Sequence, residues 1–182
     1  MKNNKLLVGG ILLALAATSA RGAETASHDP GLQDDIGNYY RPNELSFDGF
    51  GSGSLDTFTG DQAASSRQNI RIGAGAGINY FITRNFGLGA DAYSEDTSGA
   101  FVDSASISLI LRQPLGQSRF APYVFGGGGR HLDTVKMWFG QAGTGLEYRL
   151  ARHVGIFLDV RAVWPSETKF YGVARLGMRF AF

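Results

Sequence analysis

Residues 75–91 and 143–159 align with each other without a gap, and each copy changes character with a period of two. Gly75-Ala-Gly-Ile-Asn-Tyr-Phe-Ile-Thr-Arg-Asn-Phe-Gly-Leu-Gly-Ala-Asp91 lies over Gly143-Thr-Gly-Leu-Glu-Tyr-Arg-Leu-Ala-Arg-His-Val-Gly-Ile-Phe-Leu-Asp159. Side chains on a strand alternate between two faces, so a period of two means strand and not helix. Each copy reads as strand, tight turn, strand. In the first, Ile70, Ile72, Ala74, Ala76, Ile78 and Tyr80 share a face with Phe86, Leu88, Ala90 and Ala92. In the second, Ala142, Thr144, Leu146, Tyr148 and Leu150 share a face with Val154, Ile156, Leu158, Val160 and Ala162. One face continues through a turn only if the turn holds an odd number of residues. Thr83-Arg84-Asn85 and Ala151-Arg152-His153 supply three each, with Asn85 and His153 expected in the left-handed region.

The last stretch alternates in the same way. Ala174, Leu176, Met178, Phe180 and Phe182 lie on one face, and Val173, Arg175, Gly177, Arg179 and Ala181 on the other. Extending the pattern gives eight strands, at 44–55, 67–82, 86–95, 100–112, 119–130, 137–150, 154–164 and 170–182. The expected fold class is all-β, an eight-stranded antiparallel transmembrane barrel in an up-and-down meander. Most of these spans exceed the roughly 9–11 residues that a tilted strand needs to cross a bilayer. Closure leaves no unpaired edge in hydrocarbon. Gly at 26 and Phe at 13 suit such strands, and a mean hydropathy of −0.08 fits a wall that is polar or small at every second residue. A net charge of +1 gives no basis for nucleic-acid binding, and the absence of cysteine excludes disulfides and thiolate metal sites.

The first residues read as a signal peptide over 1–20. Lys2 and Lys5 precede the apolar run Leu6 to Ala17, and Thr18-Ser19-Ala20 offers small residues for cleavage. That run is shorter than the roughly 20 residues a membrane-spanning helix needs. Residues 21–43 are polar and aperiodic and read as a flexible periplasmic lead. The barrel is expected over 44–182, with no soluble domain beside it.

A terminal strand whose apolar face ends in Phe-x-Phe resembles the last strand of Gram-negative outer-membrane β-barrels. The Tyr80-x-x-x-Arg84-Asn85 turn, the Pro122-Tyr123-Val124 segment and the mature length are similar to the small outer-membrane β-barrel family of OmpA/OmpX type. Aromatics fall into two groups consistent with interfacial girdles: Tyr80, Phe86, Tyr148, Phe180 and Phe182 at one level, Phe101, Trp138, Trp164 and Phe170 at the other. The resemblance implies export through the periplasm to the outer membrane, with outer-membrane lipids and lipopolysaccharide as surroundings. It implies barrel-assembly machinery and periplasmic chaperones as partners during biogenesis. It makes Met178, Phe180 and Phe182 a C-terminal assembly signal. Turns at 83–85, 113–118 and 151–153 would be periplasmic, and loops near 56–66, 96–99, 131–136 and 165–169 would face outward. These loops are shorter than those of adhesive family members.

The inward face carries Asp48, Arg71, Asp91, Arg112, Glu147, Arg149, Asp159, Arg161, Arg175 and Arg179. Gly73, Gly75, Gly77, Gly87, Gly89, Gly143 and Gly145 share it and would make room for the long arginines. An eight-stranded barrel is only wide enough inside for side chains. The expectation is therefore a plug of ion pairs; a gated ion or water path along the arginines is the alternative. A five-residue loop closed by Trp164 and Phe170 would set Asp159 opposite Arg175, with Arg161 and Glu147 close by. Gly73-x-Gly75-x-Gly77 and Gly126 to Gly129 lack a following helix, so they read as lumen-facing or turn glycines and not as phosphate loops. His131 and Asp133 in one outer loop, with Ser166 and Glu167 in another, could build a lipid A hydrolase or acyltransferase at the rim. Nothing fixes their geometry, so no catalytic residue is assigned. His28 and His153 lie across the membrane from His131, so no metal site is assigned, and no cofactor is expected. A lipocalin-like binder would need an apolar lumen and a polar exterior, the reverse of this pattern. The expected role is structural or envelope-related.

Overall fold

The computed structural model describes residues 39–55, 70–94, 102–132, 136–166 and 170–182. Its elements are β1 (Glu44–Leu55), β2 (Ile70–Phe81), β3 (Phe86–Ser94), β4 (Ser104–Arg112), β5 (Phe120–His131), β6 (Trp138–Ala151), β7 (Val154–Pro165) and β8 (Tyr171–Ala181). Each strand pairs antiparallel with the next, and β8 pairs with β1 from Ser46↔Ala181 to Leu55↔Gly172, which closes a barrel. The Phe182 amide donates to the Leu45 carbonyl at 2.8 Å, so the seam continues past the strand ends. No helix among the described residues is long and apolar enough to cross a membrane, which says nothing of crossing by strands.

All eight expected strands form, with ends displaced by a few residues. β4 starts at Ser104 and not at 100; Val102 and Asp103 are described and lie outside it. Residues 67–69, 95 and 100–101 fall outside the described residues, as do Phe101 and the cleavage region.

The two copies of the repeat close differently from the expectation and from each other. Neither Asn85 nor His153 is left-handed; among the described residues, positive φ occurs at Asn43 and Gly116. In the first copy the Thr83 hydroxyl accepts hydrogen bonds from the Asn85 and Phe86 amides, at 3.3 and 2.9 Å. A side-chain acceptor thus replaces the left-handed residue. In the second copy the register shifts between Arg149 and Ala151, leaving a two-residue turn at Arg152-His153. An extra residue in a bulge restores the parity that an odd turn would have provided. Tyr80↔Leu88 and Leu146↔Leu158 still face the same way.

The alternation separates two environments. Ile72, Leu88, Ile107, Leu109, Leu146, Leu158, Val160 and Leu176 are exposed on the outside, while Glu147, Arg149, Asp159 and Arg161 are buried within. A soluble protein would reverse this, whereas a barrel whose solvent is hydrocarbon requires it. Interfacial aromatics pair across strands: Phe47 with Phe182, Phe120 with Tyr148, and Trp164 with Phe170, their ring centroids 6.1, 4.7 and 6.0 Å apart.

Several inward glycines make room for rings and not directly for arginines. A Cβ at Gly145 would lie 2.5 Å from the Tyr123 ring, one at Gly143 2.5 Å from the Phe125 ring, and one at Gly177 2.7 Å from the Phe157 ring. The run Gly126 to Gly129 is neither a turn nor wholly inward. It lies within β5, with Gly128 exposed and Gly129 buried.

Residues 39–43, assigned to the lead from sequence, pack against the end of the barrel that bears the short turns. Tyr40 is 1% exposed. Its hydroxyl donates to the Arg119 carbonyl at 2.8 Å. Its ring lies under the guanidinia of Arg112 and Arg149, 4.7 and 5.0 Å from the centroid.

Candidate functional site

Inward side chains from all eight strands must fill a space about as wide as the side chains themselves. They do so as two ion-pair cells divided by aromatic rings. The first cell lies toward the turn end. Glu44 accepts from Arg112 at 2.8 Å and from Arg149 at 2.6 Å. Glu147, with its side chain 0% exposed, accepts from Arg149 at 2.5 Å and from Arg179 at 2.6 Å. Arg179 also grips Asp48 through Nε at 2.8 Å and Nη2 at 2.7 Å, and Asn79 donates to the same carboxylate at 2.8 Å. Three carboxylates thus meet three guanidinia. The Arg112 guanidinium sits 3.6 Å from the Phe81 ring centroid, where the ring face favours a cation.

The second cell lies toward the loop end. Arg175 holds Asp159 in a fork, Nε at 2.8 Å and Nη2 at 2.7 Å, and reaches Asp91 with Nη1 at 3.0 Å. Arg161 donates to Asp91 at 3.0 Å and to Gln141 at 2.7 Å. Gln141 in turn donates to Ser106 and Ser108 at 2.7 and 2.9 Å, and Ser106 donates to Asp91 at 2.6 Å. Two carboxylates meet two guanidinia. Each cell is therefore neutral in itself. Pairing of this kind is required where charges are desolvated, because an unpaired one costs several kcal/mol.

Phe50, Tyr123, Phe125 and Phe157 lie between the cells. The guanidinia of Arg175 and Arg179 both lie near the Phe157 ring, 5.8 and 5.2 Å from its centroid. Tyr123 joins the cells: its hydroxyl donates to Asp159 at 2.8 Å, and its ring lies 5.9 Å from the Arg179 guanidinium. A small cavity of about 20 Å3 between the cells is lined by Asn79, Ser108, Arg161 and Arg179, among others. That is room for about one water molecule. Outside the strands, Tyr40 feels the first cell. Burial, then the Glu147 carboxylate, raises its phenol above the usual value.

Nine of the ten sequence-assigned lumen charges fall in these cells. Arg71 is on the same face, opposite Ser54 toward the loop end of β2, and is half-buried. The expected Asp159–Arg175 register and ion pair are present, with Arg161 in the same cell. Glu147 is not in that cell; it turns away to Arg149 and Arg179. Glu44 lies outside the sequence-assigned set, although it shares the parity of Asp48 on β1, and so does Gln141, which shares the parity of Glu147. A charge balance would have pointed to Glu44, because six arginines had been set against four carboxylates. Tyr40 precedes the strands, and no periodicity marks it.

His131 Nδ1 lies 2.7 Å from the fully buried Ser104 hydroxyl, and Nε2 3.4 Å from the Tyr171 hydroxyl. Asp133 and Glu167 lie outside the described residues. Met178, Phe180 and Phe182 form an exposed outward ridge at the turn end.

An apolar outer wall, a closed eight-stranded meander and a polar, ion-paired lumen define the architecture of a small transmembrane β-barrel. No protein-family model matches the chain, and no curated protein sequence matches it. Solved structures do. The N-terminal β-barrel domain of Pseudomonas aeruginosa OprF superposes with a TM-score of 0.60 at 18% identity, covering 78% of this chain and 99% of that one. Outer membrane protein OprG of the same organism gives 0.52 at 15%, covering 82% and 99%. Ail, the attachment invasion locus protein of Yersinia pestis, gives 0.52 at 12%, covering 78% and 99%. At such identities the likeness is one of fold.

Proposed function

We propose that this protein is an integral outer-membrane barrel with a structural role in the envelope, non-catalytic and closed to ions. The observation that carries this reading is the filling of the lumen by two neutral ion-pair cells with aromatic rings between them. An ion would have to displace paired arginines from both cells and pass Phe50, Tyr123 and Phe157. Neutrality within each cell leaves it no net charge to draw an ion of either sign. The short turns, with Tyr40 drawn into the barrel, are assigned to the periplasmic side, and the loops to the cell exterior. Met178, Phe180 and Phe182 are assigned as the assembly signal, which Phe182→Ala should weaken in an outer-membrane insertion assay.

Single-channel recording in planar bilayers tests the plug. The intact chain should give no resolved steps, while Arg175→Ala combined with Arg179→Ala should give openings. Regular conductance by the intact chain would favour the pore instead.

A further inference from the structure

The outer wall is uneven. Toward the turn end it carries Leu88, Leu109, Leu146, Ile156, Met178 and Phe180, whereas one sector toward the loops is hollow. Ala76, Ala92, Ala105, Arg130 and Trp138 are successive partners across β2 to β6 and form a single row. The three alanines floor an open groove of about 530 Å3, with Ile107 along one side and Arg130 and Trp138 at its loop end. The groove faces outward, so in a membrane its contents are lipid. Arg130 is exposed there and makes no ion pair among the described residues; its guanidinium rests 5.5 Å from the Trp138 ring centroid. An arginine at that level of the lipid-facing wall, with no carboxylate beside it, is placed to meet an anionic headgroup at the interface.

We propose that this groove is a binding site for one acyl chain of lipid A, with a lipid A phosphate held by Arg130. The inference rests on the membrane reading above. The chain lies on the alanine floor, where dispersion contacts replace those that large side chains would make. Trp138 marks the interface level, where an indole ring is favoured. The loop end is the leaflet that carries phosphorylated, multi-acyl lipid. A second copy of the chain fits less well, because a two-fold axis would set the hollow against itself and leave it unfilled.

The test uses the full chain carrying Trp164→Phe, which leaves Trp138 as the sole tryptophan of the two present. The protein is inserted into phosphatidylcholine nanodiscs, and insertion is checked by heat-dependent gel mobility. Trp138 fluorescence is then followed on addition of lipid A, phosphate-free lipid A or phosphatidylglycerol. Lipid A should give a saturable change, and the other two should bind about tenfold more weakly. Arg130→Gln and, separately, Ala105→Phe should each weaken lipid A binding about tenfold. If Ala105→Phe does not insert, Ala92→Val fills the floor in its place. Unchanged affinity in an inserted variant overturns the site, and so does equal saturable binding of phosphatidylglycerol. A wild-type dimer abolished by Ala105→Phe assigns the groove to a second copy and overturns the lipid. A wild-type chain that fails to insert refutes the membrane reading itself; an inserted chain that does not bind refutes the groove alone.

Discussion

Removing the Arg175 side chain tests the lumen most directly. Arg175 makes two hydrogen bonds to Asp159 and one to Asp91. The losses are unequal. Asp91 keeps Arg161 at 3.0 Å and Ser106 at 2.6 Å. Asp159, its side chain 0% exposed, keeps only the Tyr123 hydroxyl as a side-chain partner among the described residues. Breaking a buried pair from one side leaves an uncompensated charge, which costs roughly 3–5 kcal/mol. Arg175→Met retains much of the volume, so the loss should reflect charge more than cavity. Asp159→Asn should cost less, because Arg175 keeps Asp91. In the double variant no orphaned carboxylate remains at Asp159, and the total should fall below the sum of the singles by about 2 kcal/mol. Reversible urea unfolding in phospholipid vesicles, followed by tryptophan fluorescence and heat-dependent gel mobility, measures all four corners of the cycle. Additivity within about 0.5 kcal/mol would refute the coupling.

Other perturbations probe the wall, the packing and the closed end. Leu158 is 56% exposed on the outer face of β7, so Leu158→Arg should destabilise by roughly 2–4 kcal/mol in bilayers; a loss below about 0.5 kcal/mol in the same titration would remove it from the hydrocarbon. Gly177→Ala should cost roughly 1–3 kcal/mol, since its Cβ would meet the Gly49 carbonyl oxygen at 2.5 Å, while Gly172→Ala meets nothing within 4 Å and should stay within about 0.5 kcal/mol; equal unfolding midpoints for the two would contradict this packing. Tyr40→Ala strips the ring from beneath Arg112 and Arg149 and should cost about 3–5 kcal/mol. Tyr40→Phe should cost only about 1 kcal/mol, because the Arg119 carbonyl still accepts from the Arg149 amide at 2.9 Å; equal losses for the two Tyr40 variants would place the effect in the hydroxyl.

The strands, their faces and much of their register are legible in the amino-acid order alone, because all three follow from a period of two read locally. Asp159 and Arg175 could be set opposite each other from one short loop, since neighbouring strands pair by counting back from their turn. The turns were less legible. Thr83 and the bulge at Arg149 reach the same parity by routes that leave no mark in the alternation. The partners inside the barrel belong to the tertiary structure alone. Glu44 meets Arg112 from β4 and Arg149 from β6 only because closure bends the sheet back on itself and brings distant strands across a narrow lumen. Parity says that a residue points inward; it does not say at what depth or toward which wall. Those depend on how the closed sheet is staggered, and so did the division of the charges into two neutral cells.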